Sequence, residues 1–148
     1  ANQCRSPMAE AMMKDLLERM GLGQSILVKS AGTWAQEGHP ATPHGITVMA
    51  QRGLDTSNHK SQPITKELTD QFDLILTMEA GHKEAIQIEF PENASKVFML
   101  SEMSGASRNI EDPVGGTLED YQNTAEEIEN WLRQGLPKIL DFLNLSEK

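Results

Sequence analysis

The chain has 148 residues, 38% of them hydrophobic, with a mean hydropathy of -0.46 and a formal charge of -9. That is one domain's worth of sequence with apolar material for a core. Strong nonspecific nucleic-acid binding is excluded by the acidic balance, and a membrane span by the lack of any apolar run near roughly 18 residues.

No basic-then-apolar leader opens the sequence, so a single cytoplasmic domain over residues 1–148 is expected. One cysteine rules out an intramolecular disulfide and a thiolate-rich zinc site. The four histidines, His39, His44, His59 and His82, are scattered without HExxH spacing. No metal or other cofactor is therefore expected, and an anionic ligand would have to be held by a local trap.

Along the chain, helical and strand-like patterns alternate. Ser6 and Pro7 suit the cap and first position of a helix whose Met12, Met13, Leu16, Leu17 and Met20 make one apolar stripe before Gly21. "SILVKSAG" reads as a strand, and Thr42-Pro43 opens a second helix that ends near Gly53. "DLILTM" is a nearly continuous apolar run, as in a strand covered on both faces; "GHKEAIQIEF" is a helix and "KVFML" another buried strand. A long loop from Ser101 to about Gly116 precedes a last helix opened by Thr117, with Leu118, Tyr121, Ala125, Ile128 and Leu132 on one face. Pro137 is expected to bend or interrupt that helix.

This alternation predicts parallel strands joined by crossover helices, an α/β fold with three layers, α/β/α. Ligands in such folds lie beyond the carboxyl ends of the strands, where a helix N-terminus offers free N–H groups and a positive dipole end. Residues 2–6 stand at such a place, and Arg5 adds a planar fork of donors suited to phosphate. The alternative is a surface arginine beside an ordinary helix cap.

"NQCRSPMAEAM" resembles the end of the phosphate-binding loop and the first helix of the low-molecular-weight protein tyrosine phosphatases, whose pattern is C-x5-R-S/T-P. "VKSAGTWAQEGHPATPHGI", "GLDTSNHKSQPIT", "DLILTME" and "EDPVGGTLEDYQ" resemble that family in the same order. The resemblance extends to about Leu140 and implies a sheet of order 2-1-3-4. It also implies a nucleophilic cysteine ending a VLFVC-type strand, five residues before the position of Cys4 and thus upstream of Ala1. On this reading Cys4 is the loop's second cysteine, the first and central strand is absent from the sequence, and the chain as given is expected to be inactive.

The resemblance further implies that Asn2, Gln3, Cys4 and Arg5 line the phosphate, that Asp112 in "EDPVGG" is the general acid, and that Ser6, Ser30 and His59 brace the loop. Physically, a carboxyl on a long loop over an anion pocket suits proton donation to a leaving group; an Asp-Pro turn is the plainer reading. Trp34 is either a wall for the substrate ring or a partly buried core aromatic. The implied substrate is a phosphorylated protein or small aryl phosphate, with phosphate as an inhibitory product.

Val114 and Gly115 follow the Asp-Pro pair where many eukaryotic members carry aromatic residues. The DP-x-GG form is similar to the prokaryotic branch, which includes phosphoarginine phosphatases; those carry threonine where this chain has Gln3. Arsenate reductases of this fold need more cysteines than this sequence has. A non-catalytic remnant that binds phosphate or a phosphoprotein is the remaining alternative.

Overall fold

The computed structural model describes residues 2–145, which form two compact units. Among these residues, one unit comprises 2–63 and 112–129, the other 64–111 and 130–145.

In the first unit, helix α1 (Arg5–Arg19) buries Pro7, Met8, Met12, Met13 and Leu17 and packs against α2 (Pro43–Gln51), which buries Val48 and Met49. Both helices end in the same way. Gly21 (φ 74°) and Gly53 (φ 77°) take the left-handed conformation, and the next residue's N–H returns to the third-last helical carbonyl, Leu22 to Leu17 and Leu54 to Met49. The apolar stripe of α1 thus begins earlier than its spacing suggested, at Met8, and Met20 is 46% exposed at the C-cap. The first half of α5 (Leu118–Phe142) brings Tyr121, Ala125 and Ile128, all buried, to this unit.

The second unit holds α3 (Lys66–Gln71), β1 (Ile75–Thr77), α4 (Ala80–Glu89) and β2 (Val97–Met99). β1 and β2 are parallel, with Ile75 opposite Val97 and Thr77 opposite Met99, and α4 makes the crossover that parallel pairing requires. Ile86, Phe90 and Val97 form a buried cluster against which Ile64 and Ile75 pack. α3 escaped the periodicity because its six residues are too few to show it; Thr65 caps it, accepting from Leu68 N–H at 3.2 Å.

Four expectations need correction. "SILVKS" joins no sheet: burial alternates over residues 26–30 as in a half-buried strand, with Leu27 68% exposed, but the nearest ladder is one isolated bridge between Gly32 and Pro63. Period two marks an extended chain, whereas a ladder needs a partner. The sheet among the described residues is accordingly two strands, not the three that order 2-1-3-4 leaves when its first strand is expected to be absent. The stretch after β2 opens with a 3-10 turn, Leu100–Ser104, rather than loop. Pro137 leaves α5 helical to Phe142; it is exposed, so the helix bond that its missing N–H forfeits lies on the solvent side. No helix among the described residues is long and apolar enough to cross a membrane.

Candidate active site

α1 starts two residues earlier than its cap signal suggested. Cys4 is the N-cap and Arg5 the first helical residue, and no side chain caps the free N–H groups. Pro7 is tolerated in the first turn because no N–H there has an intrahelical acceptor. Immediately before, Asn2 is held at φ 60°, a left-handed conformation that asparagine tolerates better than most residues, and is 3% exposed.

Three of the polar groups of Asn2 are held by hydrogen bonds. Its Nδ2 donates to Ser6 Oγ (3.2 Å), its Oδ1 accepts from Gln62 N–H (2.9 Å), and its carbonyl accepts from His59 Nε2 (2.7 Å), which places a proton on that nitrogen. Gln3 fastens the next residue outward: its Nε2 donates to Pro40 O (2.9 Å) and its carbonyl accepts from Thr42 N–H (2.8 Å). Asn2, Ser6 and His59 therefore come together. Ser30 does not join them directly, since its hydroxyl donates to Glu10 Oε1 (2.6 Å) and its carbonyl accepts from Gln62 Nε2 (2.9 Å).

Arg5 is 9% exposed, and its Nη2 lies 3.8 Å from Asp112 Oδ2, a carboxylate that is 46% exposed. The loop of Asp112 is made by local chemistry. Val114 N–H donates to Asp112 Oδ1 (3.1 Å), Gly116 N–H to Pro113 O (2.8 Å), and Gly115 supplies the positive φ of 83° that the turn needs. A Cβ on Gly116 would stand 2.5 Å from Asp120 Oδ2, so the turn closes tightly onto the start of α5. There Thr117 and Asp120 form a reciprocal cap, Thr117 N–H to Asp120 Oδ2 (2.9 Å) and Asp120 N–H to Thr117 Oγ1 (3.1 Å).

Burial pushes the Cys4 thiol up to about 12, and the nearby Asp112 carboxylate adds to the rise against the lowering by Tyr121 and Arg5. Cys4 is thus a neutral thiol at physiological pH. Tyr121, 3% exposed, has its own phenol pushed up by burial, and its ring packs edge-on to His44 at 5.3 Å. Sequence reasoning placed Tyr121 only on an apolar helix face. The signal it passed over is chemical: a buried tyrosine brings a hydroxyl that needs a polar neighbour. Gln62 and Ser61 were likewise missed, because nothing in a Ser-Gln pair announces backbone contacts made tens of residues away.

Trp34 is 94% exposed, which removes the reading as a core aromatic, and Val114 is 59% exposed at the tip of the Asp112 turn. Among the described residues no three His, Cys, Asp or Glu side chains are grouped as a metal site. What the unit assembles is an uncapped helix N-terminus, a buried guanidinium and an adjacent carboxylate.

Comparison with known proteins points the same way. The sequence model of the low molecular weight phosphotyrosine protein phosphatases matches residues 1–142. The protein-arginine-phosphatase of Bacillus subtilis is 41% identical over 90% of this chain and 87% of its own length. The probable low molecular weight protein-tyrosine-phosphatase EpsP of Ralstonia nicotianae is 37% identical over 93% and 90%. Among solved structures, a mutant of the YwlE arginine phosphatase with a phosphorylated active-site serine superposes with a TM-score of 0.89 at 41% identity, covering 95% of this chain and 91% of that one. An α/β fold with a small parallel sheet, the residue patterns around Arg5 and Asp112, and these likenesses agree: the chain belongs to the low molecular weight phosphotyrosine protein phosphatase family.

Proposed function

We propose that the site binds the phosphoryl group of a phosphorylated protein side chain and serves its hydrolysis through a phosphocysteine intermediate. The observation that carries the reading is the pairing of a nine-tenths buried Arg5 at an uncapped helix N-terminus with Asp112 at 3.8 Å. The guanidinium fork and the N–H groups of residues 2–6 hold the nonbridging oxygens and favour the charge spread over them in the transition state. A thiolate attacks phosphorus, an S–P bond forms as the P–O ester bond breaks, and Asp112 gives its proton to the departing oxygen. Water then attacks the phosphocysteine, Asp112 takes up its proton, and phosphate and thiolate are restored. The phosphorylated active-site serine in the YwlE mutant supports a covalent phosphoenzyme.

In this proposal the attacking thiolate is not Cys4: burial pushes its thiol up to about 12, which keeps it protonated at neutral pH, and the family pattern C-x5-R sets the nucleophile six residues before the arginine. The residues present supply binding and proton transfer. In this proposal Trp34 and Val114 flank the substrate, and phosphate inhibits as product.

Phosphotyrosine is the first substrate reading, because Gln3 stands where arginine-directed members carry threonine. Phosphoarginine is the second, favoured by the 41% identity to a protein-arginine-phosphatase. The deciding experiment joins the family's VLFVC-type strand and loop start to this chain and compares phosphotyrosine with phosphoarginine peptides. Hydrolysis that survives Cys4→Ser and is lost in Arg5→Ala is expected. Hydrolysis abolished by Cys4→Ser would contradict the assignment of the nucleophile.

A further inference from the structure

Ser61 is 2% exposed and has no part in the chemistry above. Its hydroxyl donates to Gln36 O (2.5 Å) and accepts from His39 N–H (3.0 Å). Its own N–H donates to His39 O (2.7 Å), and its carbonyl accepts from Gly38 N–H (2.8 Å). A single buried residue thus holds the backbone at positions 36, 38 and 39. On either side of it the same segment reaches the anion loop, through His59 Nε2 to Asn2 O and through Gln62 N–H to Asn2 Oδ1. Gly32 is tied to this segment as well, its N–H donating to Gln62 O (2.9 Å) beside the bridge to Pro63.

Trp34 sits between those two anchors, Gly32 and Gln36, with its indole in solvent. An exposed aromatic on a slack loop must be ordered when it meets a ligand, and that ordering weakens binding; a backbone fixed on both sides has little left to lose. The Ser61 hydroxyl donates and accepts at once, so a methyl group in its place leaves a carbonyl and an N–H without their partner.

The geometry points to Ser61 as a positioning residue that sets where Trp34 stands with respect to the anion loop, and through it the affinity for the part of a substrate beyond the phosphoryl group. This rests on residues 2–6 being the phosphate site. The ligand class is an aromatic or planar group carrying a phosphoryl or phosphonyl anion.

The test uses the chain itself with two probes, inorganic phosphate and phenylphosphonate, which adds a ring and has no ester bond to break. Ser61→Ala and Trp34→Ala are each expected to weaken phenylphosphonate about three- to tenfold, the range of one aromatic contact, with phosphate affinity unchanged. A change confined to Trp34→Ala overturns the positioning role of Ser61. Equal weakening of both probes by Ser61→Ala, or no selective loss in Trp34→Ala, overturns it too. Absence of phosphate binding to the unaltered chain overturns the site reading beneath it. If Ser61→Ala fails to fold, amide exchange in the unaltered chain decides: Gly38 and His39 are expected to slow with phenylphosphonate and not with phosphate, and an equal response to both contradicts the inference.

Discussion

The two loops that meet at the candidate site are built by opposite means. In residues 2–6, Asn2, Cys4 and Arg5 are buried and the segment is fixed mainly by partners far away in sequence: Asn2 bonds to His59 and Gln62 besides nearby Ser6, and Gln3 reaches Pro40 and Thr42. The Asp112 loop is exposed and shaped by its own neighbours, through bonds spanning two or three residues within positions 112–120. A trap for a phosphoryl group works by having its donors in place before charge develops, whereas a proton donor must be reachable by leaving group and water. The buried loop should therefore resist substitution structurally, and the exposed one should resist it only chemically.

The largest effect is expected at Arg5. Arg5→Ala removes charged, parallel hydrogen bonds from the anion, and phosphate affinity measured by calorimetry should fall by about 100-fold or more. Arg5→Lys keeps the charge without the fork and should fall between the alanine variant and the unaltered chain. A phosphate affinity unmoved by either variant would erase the contrast between the loops.

Next comes Asp112→Asn, in a chain carrying the upstream cysteine. The phosphorylation step should slow by roughly 100-fold for an aryl phosphate with a poor leaving group, and much less for one whose phenol leaves readily. Single-turnover rates across a series of phenol pKa values read this out. Folded stability should change by less than about 0.5 kcal/mol, as befits an exposed group. Parallel leaving-group plots for the two proteins would return Asp112 to the role of a turn residue.

Asn2→Ala should do the reverse. It deprives Gln62 N–H of its acceptor inside the protein and puts alanine at φ 60°, so urea denaturation should show a loss of about 2 kcal/mol. A loss no larger than that of Asp112→Asn would contradict the division between a structurally fixed and a chemically fixed loop.

A further effect concerns pH. Cys4 in the folded chain titrates at about 12, above its ordinary 9.0, so between these values the folded state binds the proton that the unfolded state has released. Its contribution is complete below about pH 9 and is lost as pH rises through the folded value. Stability should fall between pH 9 and 11, and Cys4→Ala should flatten part of that fall. The remainder belongs to other groups, Tyr121 among them, whose phenol is shifted in the same direction. Alkylation of Cys4 should be slow at pH 7, unlike that of a catalytic thiolate.

These contrasts also explain what the sequence could and could not reveal. Arg5 and Asp112 were singled out because each sits in a short stretch, C-R-S-P and D-P-x-G-G, that resembles the family; their local chemistry alone fits a surface arginine and an Asp-Pro turn equally. Helices α1, α2, α4 and α5 were legible through spacing and caps, and β1 and β2 through apolar runs. The start of α1 was misplaced because Ser-Pro is a good cap pair wherever it falls, while the structure uses Cys4 and leaves the cap open. "SILVKS" shows a strand's periodicity without a ladder, since pairing is a property of two segments. Ser61, Gln62 and Tyr121 were invisible for a related reason: their partners lie at positions 36–39, 2 and 4, and only the folded chain brings them together.

The central claim is that residues 2–6 with Arg5 form a preorganised anion site, and a phosphate titration followed by amide and guanidinium NMR signals tests it most directly. The account predicts saturable shifts at the amides of Cys4, Arg5 and Ser6 and at the Arg5 side chain, with a dissociation constant raised about tenfold or more in Arg5→Lys. Shifts scattered over surface lysines with none at these amides, or equal affinity in Arg5→Lys, would contradict it.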